Sequence, residues 1–449
     1  MTTNINSLRV HVGSVVPRIL RGGSTSKVRS LRVGSKLLCS RRDLATMTLS
    51  SSSSELDSKL PPDVAEVVQK YVQKPQTPAS LQTLMRTGRG ELLKKTYRES
   101  EMQDTAATEL ILMQVAGFLR REIPIRLAHR IQDLDRVPLM GDMPSVEAVR
   151  DIYISSFMEL VDQPKIGNPE QEEEFAMKLQ TIYEKHSNVL IQMAKGAFEL
   201  RAAVRNGEIK GTTGRRMKFD EMDGCHSFLD RFYMSRIGMR VLVGQYIALR
   251  QPPMENFVGM ICKETSPYEI VHNAVEDAKF MCDRKFGDSP EVIISGRKDL
   301  TFSYIPDHLH YILLELLKNA LRATVETHGV DSDFPPVEVI IADGKANEDV
   351  AIKIADEGGG IPRSVIHKIW SYLFTTADPS IQEGLVAFSG EVDHSTDSPL
   401  AGLGYGLPIS RSYARYFGGD VSIMSLDGFG TDAFVYLPRL GSSREPLPV

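Results

Sequence analysis

Three short motifs carry the residue types that could perform chemistry in this chain of 449 residues. The first is Glu315 with Asn319 four residues later, the second is Asp-Glu-Gly-Gly-Gly at 356–360, and the third is Gly-Leu-Gly-Tyr-Gly at 402–406. A carboxylate can accept a proton from an attacking nucleophile, and an amide oxygen is a ligand that suits Mg²⁺. Backbone amides freed of side chains can cradle phosphates. In this order the motifs predict one nucleotide site.

Glu315 belongs to a helix that the sequence predicts from Asp307 onward, with one apolar face and one polar face. The apolar stripe recurs every three or four positions: Leu309, Ile312, Leu313, Leu316, Leu317, Ala320 and Leu321. The opposite face carries a column of residues three, four and seven positions apart: Glu315, Lys318, Asn319 and Arg322. Taken alone, such a column is more often a solvated charged face than a binding site.

Asp356 stands at the end of a predicted strand, directly before the turn of glycines at 358–360. Glycine lets the backbone turn sharply and lets a planar group approach it closely. A carboxylate at such a turn can accept a hydrogen bond from the exocyclic amine of adenine, which guanine does not present in the same position. The alternative is a strand-to-helix turn in which the aspartate is only a cap.

Gly402, Gly404 and Gly406 alternate along the chain and lead into a predicted helix at 407–417. Free amides at a helix N-terminus favour phosphate binding. No Gly-Lys-Ser/Thr follows, so the loop is not a Walker motif, and no strand leads directly into it as in a dinucleotide-binding fingerprint. The polar stretch at 377–399 has the length and composition of a lid.

The elements that would position these motifs fall into two regions. Amphipathic helices are predicted within 60–250, at 110–129, 146–161, 172–195 and 228–249, with a break at Pro124 among others. Beyond a linker at 251–253, strands and helices alternate through 255–440. The sequence therefore predicts a two-domain α+β protein, in which an N-terminal helical bundle at 60–250 precedes an α/β sandwich at 255–440.

The first residues have a composition of their own. Residues 1–50 carry nine basic side chains and one acidic side chain among many Ser and Thr residues. An arginine-rich leader without a continuous apolar run predicts a mitochondrial transit peptide at 1–48, and a disordered basic tail is the alternative.

Charge, hydropathy and cysteine content argue against several other classes of protein. The net charge of −5 gives no electrostatic footprint for nucleic acid. No run approaches the ~18 apolar residues that span a bilayer. The four cysteines lie far apart without the spacing of a metal site, as expected in a reducing compartment.

The motifs together resemble a known nucleotide fold. Glu315-x-x-x-Asn319, Asp356-x-Gly-Gly-Gly, the glycine loop and Gly430-Thr431 resemble the Bergerat fold of the GHKL superfamily. The segments 315–324, 399–411, 416–420 and 430–433 are more similar to one branch, the mitochondrial pyruvate dehydrogenase kinases. In the bundle, 119–127 and 228–237 resemble the same family, so the resemblance spans about residues 60–440.

The resemblance implies a serine kinase of the mitochondrial matrix that uses ATP and Mg²⁺ to phosphorylate and inactivate the dehydrogenase component of the pyruvate dehydrogenase complex. It implies Glu315 as general base, Asn319 as the Mg²⁺ ligand, and Asp356, supported by Thr431, as the reader of adenine. Further nucleotide contacts are implied for Leu316, Leu317, Lys318, Ala320, Leu321, Arg322, Gly358, Gly360, Thr375, Thr376, Gly402, Leu403, Gly404, Tyr405, Gly406 and Leu407.

The resemblance also implies partners. The bundle is expected to hold the lipoyl domain of the acyltransferase core, and the protein is expected to be a homodimer with no nucleic-acid partner and no membrane span. His186 matches a histidine of the family's bundle, although an ordinary helix-surface histidine is an equally good interpretation.

Tyr311, one turn before Glu315, is a departure from the pattern. Many animal pyruvate dehydrogenase kinases carry histidine there, whereas branched-chain 2-oxoacid dehydrogenase kinases carry tyrosine. The branched-chain kinase is therefore the nearest alternative, although Gly430-Thr-Asp-Ala and Pro399-Leu-Ala-Gly favour the pyruvate enzyme. A protein-histidine kinase needs a phosphoacceptor histidine in the helix at 228–249, which has none. A non-catalytic scaffold that binds ATP and lipoyl domains is the alternative of another class.

Overall fold

The computed structural model describes residues 59–93, 104–207, 218–330, 332–344, 348–375 and 403–447. The predicted transit peptide at 1–48 and the predicted lid at 377–399 lie outside these ranges. Thr376 and Gly402, two of the predicted nucleotide contacts, also lie outside them.

The N-terminal region is helical. Its helices are α1 (Pro62–Val72), α2 (Leu81–Gly88), α3 (Asp104–Arg136), α4 (Pro144–Val161), α5 (Pro169–Lys185), α6 (Val189–Asn206) and α7 (Asp223–Leu249). The local sequence explains where α5 starts. The Asn168 side chain accepts a hydrogen bond from the Gln171 amide at 2.9 Å, and Pro169 takes the first helical position, where no amide hydrogen is needed.

Two predictions about helix limits are wrong. Pro124 does not break its helix but lies inside α3, which is 33 residues long. The flanking side chains Leu119, Ile123 and Leu127 are buried in the bundle core, and this burial offsets the lost backbone hydrogen bond. The single helix predicted at 172–195 is two helices, because α5 ends at Lys185 and α6 begins at Val189.

The C-terminal region mixes strands and helices. Its elements are β1 (Phe257–Val258), β2 (Ile261–Thr265), α8 (Pro267–Phe286), β3 (Val292–Gly296), β4 (Phe302–Tyr304), α9 (Pro306–His328), β5 (Val337–Asp343), β6 (Asp349–Asp356), α10 (Gly406–Tyr416), β7 (Asp420–Leu426) and β8 (Gly430–Pro438). The Ser266 hydroxyl caps the start of α8, since it accepts from the Glu269 amide at 3.3 Å.

The larger sheet has the order β3-β5-β6-β8-β7, with β3 and β5 parallel and every other pair antiparallel. A small sheet of order β1-β2-β4 stands apart from it. In the larger sheet, Asp356 pairs with Thr431, and Ser425 pairs with the same Thr431 from the other side. The register therefore brings these three side chains to one end of three neighbouring strands.

One face of the larger sheet packs against the helices. Val339 and Ile352 alternate with exposed or half-buried neighbours along β5 and β6, and they share a core with the apolar stripe of α9, including Leu313 and Leu317. A helical region followed by an α/β sandwich with a mixed sheet confirms the predicted α+β fold class. No helix in the described ranges is long and apolar enough to cross a membrane.

The helical and α/β regions share their cores. Tyr372 and Tyr405 pack into the core of the helical bundle, while Leu81 and Ile237 of the bundle pack into the core of the sandwich. The division into domains at 60–250 and 255–440 stays a prediction from the sequence.

Candidate active site

A cavity of about 340 Å³ lies where α9, the ends of β6 and β8, and the start of α10 meet. All three sequence motifs contribute to its wall. The predicted residues that line it are Glu315, Leu316, Asn319, Ala320, Arg322, Asp356, Gly358, Gly360, Thr375, Gly404, Gly406, Leu407 and Thr431.

Five other predicted residues do not line the cavity. Leu317 and Leu321 face the sandwich core from the opposite side of α9, and Leu403 and Tyr405 are buried in the core of the bundle. Lys318 is connected to the cavity through Glu315, because its Nζ lies 2.8 Å from Oε1 of that residue. Helical periodicity explains this division, since contiguous residues of one helix point in different directions.

Glu315 is a buried carboxylate at the wall of the cavity, with only 5 % of its surface exposed. Lys318 pairs with its Oε1, and its Oε2 lies against Gly406, where an added Cβ would overlap it. The carboxylate on α9 is thus in direct contact with the first residue of α10. An oxygen at this point could receive a proton from a hydroxyl group placed in the cavity.

Asn319 and Arg322 continue the column from Glu315 along α9. Asn319 is half-buried, and no described residue hydrogen-bonds its side-chain amide. Nε of Arg322 lies 3.7 Å from Oε2 of Glu326. The amide oxygen and the guanidinium are the groups available for a metal ion and for phosphate charge in this column.

Asp356 is fixed by two backbone amides. Its Oδ1 accepts hydrogen bonds from Gly358 N at 2.9 Å and from Thr431 N at 3.3 Å. Burial raises the pKa of Asp356 to about 6, although the two amides oppose the shift. Since both amides engage Oδ1, Oδ2 is the oxygen left for a donor such as the amine of adenine.

Glycine is required at two positions after Asp356, one for close packing on α9 and one for its backbone conformation. A Cβ at Gly358 would come within 2.6 Å of Cβ of Ala323 on α9, so the loop can lie on the helix only with glycine there. Gly360 has a φ of 72°, the left-handed region that favours glycine.

Ser425 was not identified from the sequence, although its hydroxyl joins three backbone and side-chain groups at the Asp356 end of the cavity. Its hydroxyl oxygen accepts from Ile361 N at 2.7 Å and lies 2.9 Å from the Thr431 hydroxyl. It also donates to Gly430 O at 3.1 Å. The available signal was the register of the β7–β8 hairpin, in which Ser425 is opposite Thr431.

The glycine loop lines the end of the cavity opposite Asp356. Gly404 has a φ of 79°, and a Cβ there would overlap Phe374 O, so this loop lies directly on the segment before the predicted lid. α10 begins at Gly406, and its first amides have no partner within the helix. The start of α10 therefore supplies donors for anionic oxygens.

Tyr311 stands one turn before Glu315, as expected, and its ring packs on Tyr413 with a centroid separation of 5.1 Å. Burial, together with the Glu315 charge, holds the pKa of Tyr311 well above its usual value. The neighbouring His310 points off the column toward α8, where its Nε2 is 3.0 Å from Oδ2 of Asp277.

His186 is in the bundle and does not line the cavity. Its Nε2 lies 2.9 Å from the Ser156 hydroxyl, and its ring packs on Tyr153. Burial and the charges of Arg236, Lys185 and Arg240 lower the pKa of His186 to about 3. It is therefore neutral at physiological pH.

Comparisons with protein families match both regions of the chain. Residues 78–262 match the family described as mitochondrial branched-chain alpha-ketoacid dehydrogenase kinase. Residues 304–441 match the family described as histidine kinase-, DNA gyrase B- and HSP90-like ATPase. The second match covers α9, the strands β5 to β8 and the start of α10, and so contains the whole cavity.

Individual relatives extend the match over most of the chain. A mitochondrial pyruvate dehydrogenase (acetyl-transferring) kinase of Arabidopsis thaliana is 44% identical, over 76% of this chain and 89% of the relative. The corresponding kinase of Schizosaccharomyces pombe is 36% identical over 85% and 98%. Isozyme 4 from Homo sapiens is 37% identical over 74% and 79%. This chain therefore belongs to the family of mitochondrial pyruvate dehydrogenase kinases.

Proposed function

We propose that this protein is a serine kinase of the mitochondrial matrix that phosphorylates, and thereby inactivates, the dehydrogenase component of the pyruvate dehydrogenase complex. The observation that carries the proposal is the contact of the buried Glu315 carboxylate with Gly406, which joins a potential base to the phosphate-binding end of the cavity. The names of the relatives supply the substrate, since each acts on pyruvate dehydrogenase.

The two ends of the cavity would bind different parts of ATP. Asp356 would accept from the adenine amine, with Thr431 and Ser425 holding it in place. Gly404, Gly406 and Leu407 would bind the phosphates at the start of α10. Adenine and the transferred phosphate would thus be held at opposite ends of one cavity.

The residues that line the cavity could hold a magnesium ion that also binds the phosphates of the nucleotide. Within the described residues, no group of three or more His, Cys, Asp or Glu side chains could hold a metal by itself. Asn319 offers one neutral oxygen toward the cavity, and Mg²⁺ commonly takes one or two protein ligands together with phosphate oxygens and waters. When bound there, the ion would neutralise phosphate charge and orient the phosphates.

Phosphoryl transfer depends mainly on positioning and on charge. Glu315 would accept the proton of the substrate serine as its oxygen attacks the terminal phosphate. The ion pair with Lys318 occupies Oε1 and keeps the carboxylate oriented, so Oε2 remains at the start of α10. Arg322 would contribute positive charge beside the phosphates.

We further propose that two copies associate through the sheet face that the helices leave uncovered. This face exposes Met424 and Tyr436, whose exposed fractions are 64% and 38%, and the Tyr436 ring stacks on Phe434. Exposed apolar side chains beside charged ones, such as Lys353 and Asp432 here, are typical of an interface with a polar component. The helical bundle would hold the lipoyl domain of the acyltransferase core, in keeping with the family.

The test is to incubate the protein with labelled ATP and, separately, with the purified pyruvate and branched-chain dehydrogenase complexes. We expect label on a serine of the pyruvate dehydrogenase component and loss of that complex's activity. Label that enters only the branched-chain dehydrogenase would establish the nearest alternative. Binding of ATP and of lipoyl domains without any transfer would establish the scaffold.

A further inference from the structure

Three tyrosines meet where the bundle contacts the glycine loop. Tyr233 is on α7, Tyr372 precedes the predicted lid, and Tyr405 lies between Gly404 and Gly406; each is at most 1 % exposed. Their ring centroids are separated by 5.4 Å for Tyr233 and Tyr372, 5.3 Å for Tyr372 and Tyr405, and 6.0 Å for Tyr233 and Tyr405. Each ring therefore contacts the other two.

Polar contacts attach this cluster to the bundle. The Tyr372 hydroxyl donates a hydrogen bond of 2.7 Å to Oδ1 of Asp230, which lies one turn before Tyr233 on α7. On α6, Nη1 of Arg201 donates to Leu373 O at 3.3 Å. Two bundle helices thus hold consecutive residues of the segment that leads to the lid.

The cluster continues directly to the catalytic end of the cavity. Gly404, before Tyr405, lies on the backbone of Phe374, and Gly406, after it, lies on Oε2 of Glu315. Close-packed interiors transmit displacements, because no free space absorbs them. A shift of the Tyr405 ring would therefore move Gly406 against the Glu315 carboxylate.

We propose that Tyr372 and Tyr405, anchored by Asp230 and Tyr233, are positioning residues that hold the phosphate-binding loop against Glu315 from the helical bundle. The inference rests on the proposed kinase function, and it adds a role for the bundle in the transfer step. The adenine end, with Asp356 and Thr431, contains no member of this cluster. Loosening the cluster should therefore slow transfer more than it weakens nucleotide binding.

The Tyr372–Asp230 hydrogen bond permits a double-mutant cycle. We expect Tyr372→Phe and Asp230→Ala each to lower kcat for phosphorylation roughly five- to tenfold, the size expected for one lost hydrogen bond. The affinity for ADP should stay within about twofold, and the double variant should be no slower than either single variant. Asp230→Asn, which keeps an oxygen acceptor, should restore most of kcat.

The matched control is Tyr304→Phe. Tyr304 is also a buried tyrosine of the α/β region, but its ring stacks on Phe302 and it belongs to the other hydrophobic cluster. This control removes a buried hydroxyl without touching the cluster, so it reports any general loss of stability. We expect its kcat to equal that of the unchanged protein.

A second readout separates this inference from the identity of the substrate. Hydrogen exchange of the amides at 403–410, with ADP bound, needs no protein substrate. We expect faster exchange there in Tyr372→Phe and Asp230→Ala, and unchanged exchange in Tyr304→Phe. Unchanged exchange in all variants, or losses of kcat that add in the double variant, would overturn the inference. Absence of pyruvate dehydrogenase phosphorylation by the unchanged protein would instead overturn the proposed function.

Discussion

Oε2 of Glu315 lies against Gly406 so closely that a Cβ on Gly406 would overlap it. The carboxylate belongs to α9 and the glycine is the first residue of α10, so one contact sets the proposed base relative to the proposed phosphate-binding end of the cavity. Glycine at this position is therefore required by the position of the carboxylate.

Gly406→Ala tests this relationship. The added methyl group would push the carboxylate from its place, and a displacement of about 1 Å can cost on the order of 100-fold in rate. We expect kcat to fall by about that factor. Gly224→Ala is the control, because a Cβ at Gly224 meets nothing within 4 Å. Equal kcat in the two variants would show that the contact has no role in transfer.

The raised pKa of Asp356 predicts how nucleotide binding depends on pH. Below pH 6 the carboxyl gains a proton, and that proton goes to Oδ2 because Oδ1 accepts two backbone amides. A protonated Oδ2 opposes the adenine amine. We expect the affinity for ADP to fall roughly tenfold between pH 7.5 and pH 5, as for one group of pKa about 6.

Two variants separate this titration from that of ADP itself. Asp356→Asn should bind ADP weakly at every pH and should lack this component of the pH dependence. Glu357→Gln, which changes the exposed neighbour, should keep it. Calorimetric titration measures all three proteins. The same pH dependence in Asp356→Asn as in the unchanged protein would rule out Asp356 as its source.

Ser425→Ala tests the residue that supports the proposed adenine end of the cavity. Its hydroxyl engages Ile361 N, Gly430 O and Thr431 Oγ1, so its loss should loosen the strand that supplies Thr431 N to Asp356. If binding loses about 1 kcal/mol of free energy, the affinity for ADP becomes roughly fivefold weaker. Ser422→Ala, on the same strand, is the control. An unaffected dissociation constant in Ser425→Ala would remove Ser425 from the site.

Glu445→Ala tests the attachment of the C-terminal segment to the bundle. The Glu445 carboxylate pairs with Arg126 of α3 and accepts from Ala79 N at 2.9 Å, and both charged side chains are buried. Arg126 keeps its second buried partner, Glu122, at 2.8 Å, but the hydrogen bonds of Glu445 to Arg126 and to Ala79 N are lost. Because a hydrogen bond to a charged group is worth about 1.5–3 kcal/mol, we expect the free energy of unfolding to fall by about 3 kcal/mol in denaturant titration.

Glu91→Ala provides the contrast, because Glu91 forms an exposed pair with Arg86. This change should lower the free energy of unfolding by less than about 1 kcal/mol. A cost for Glu445→Ala as small as that for Glu91→Ala would mean that the C-terminal segment does not contribute to stability.

The sequence predicted those parts of the site that depend on local pattern. The column from Glu315 to Arg322 follows from helical spacing, and the turns at Gly360 and Gly404 follow from the conformations that glycine favours. The same local rules failed at Pro124, because the cost of proline in a helix is local whereas the burial that offsets it depends on the whole bundle.

Contacts between distant segments could not be predicted in this way. The contact of Glu315 with Gly406, and that of Tyr372 with Asp230, join residues 91 and 142 positions apart. Ser425 is an intermediate case, because two strands joined by a short turn pair locally, whereas the register that places Ser425 opposite Thr431 is not fixed by local pattern. Contiguous stretches such as Leu316 and Leu317 were assigned as a block, although only one of the two lines the cavity.

Glu315→Gln tests whether Glu315 accepts the proton of the attacking serine. The measurement compares the initial rate of label transfer from ATP to the pyruvate dehydrogenase component with the affinity for ADP in the same preparation. Asp307→Asn, an exposed change on the same helix, is the control. We predict a rate lower by about 10²–10⁴-fold, the contribution typical of a general base, with ADP affinity unchanged. An unchanged rate of transfer would show that Glu315 is not the base.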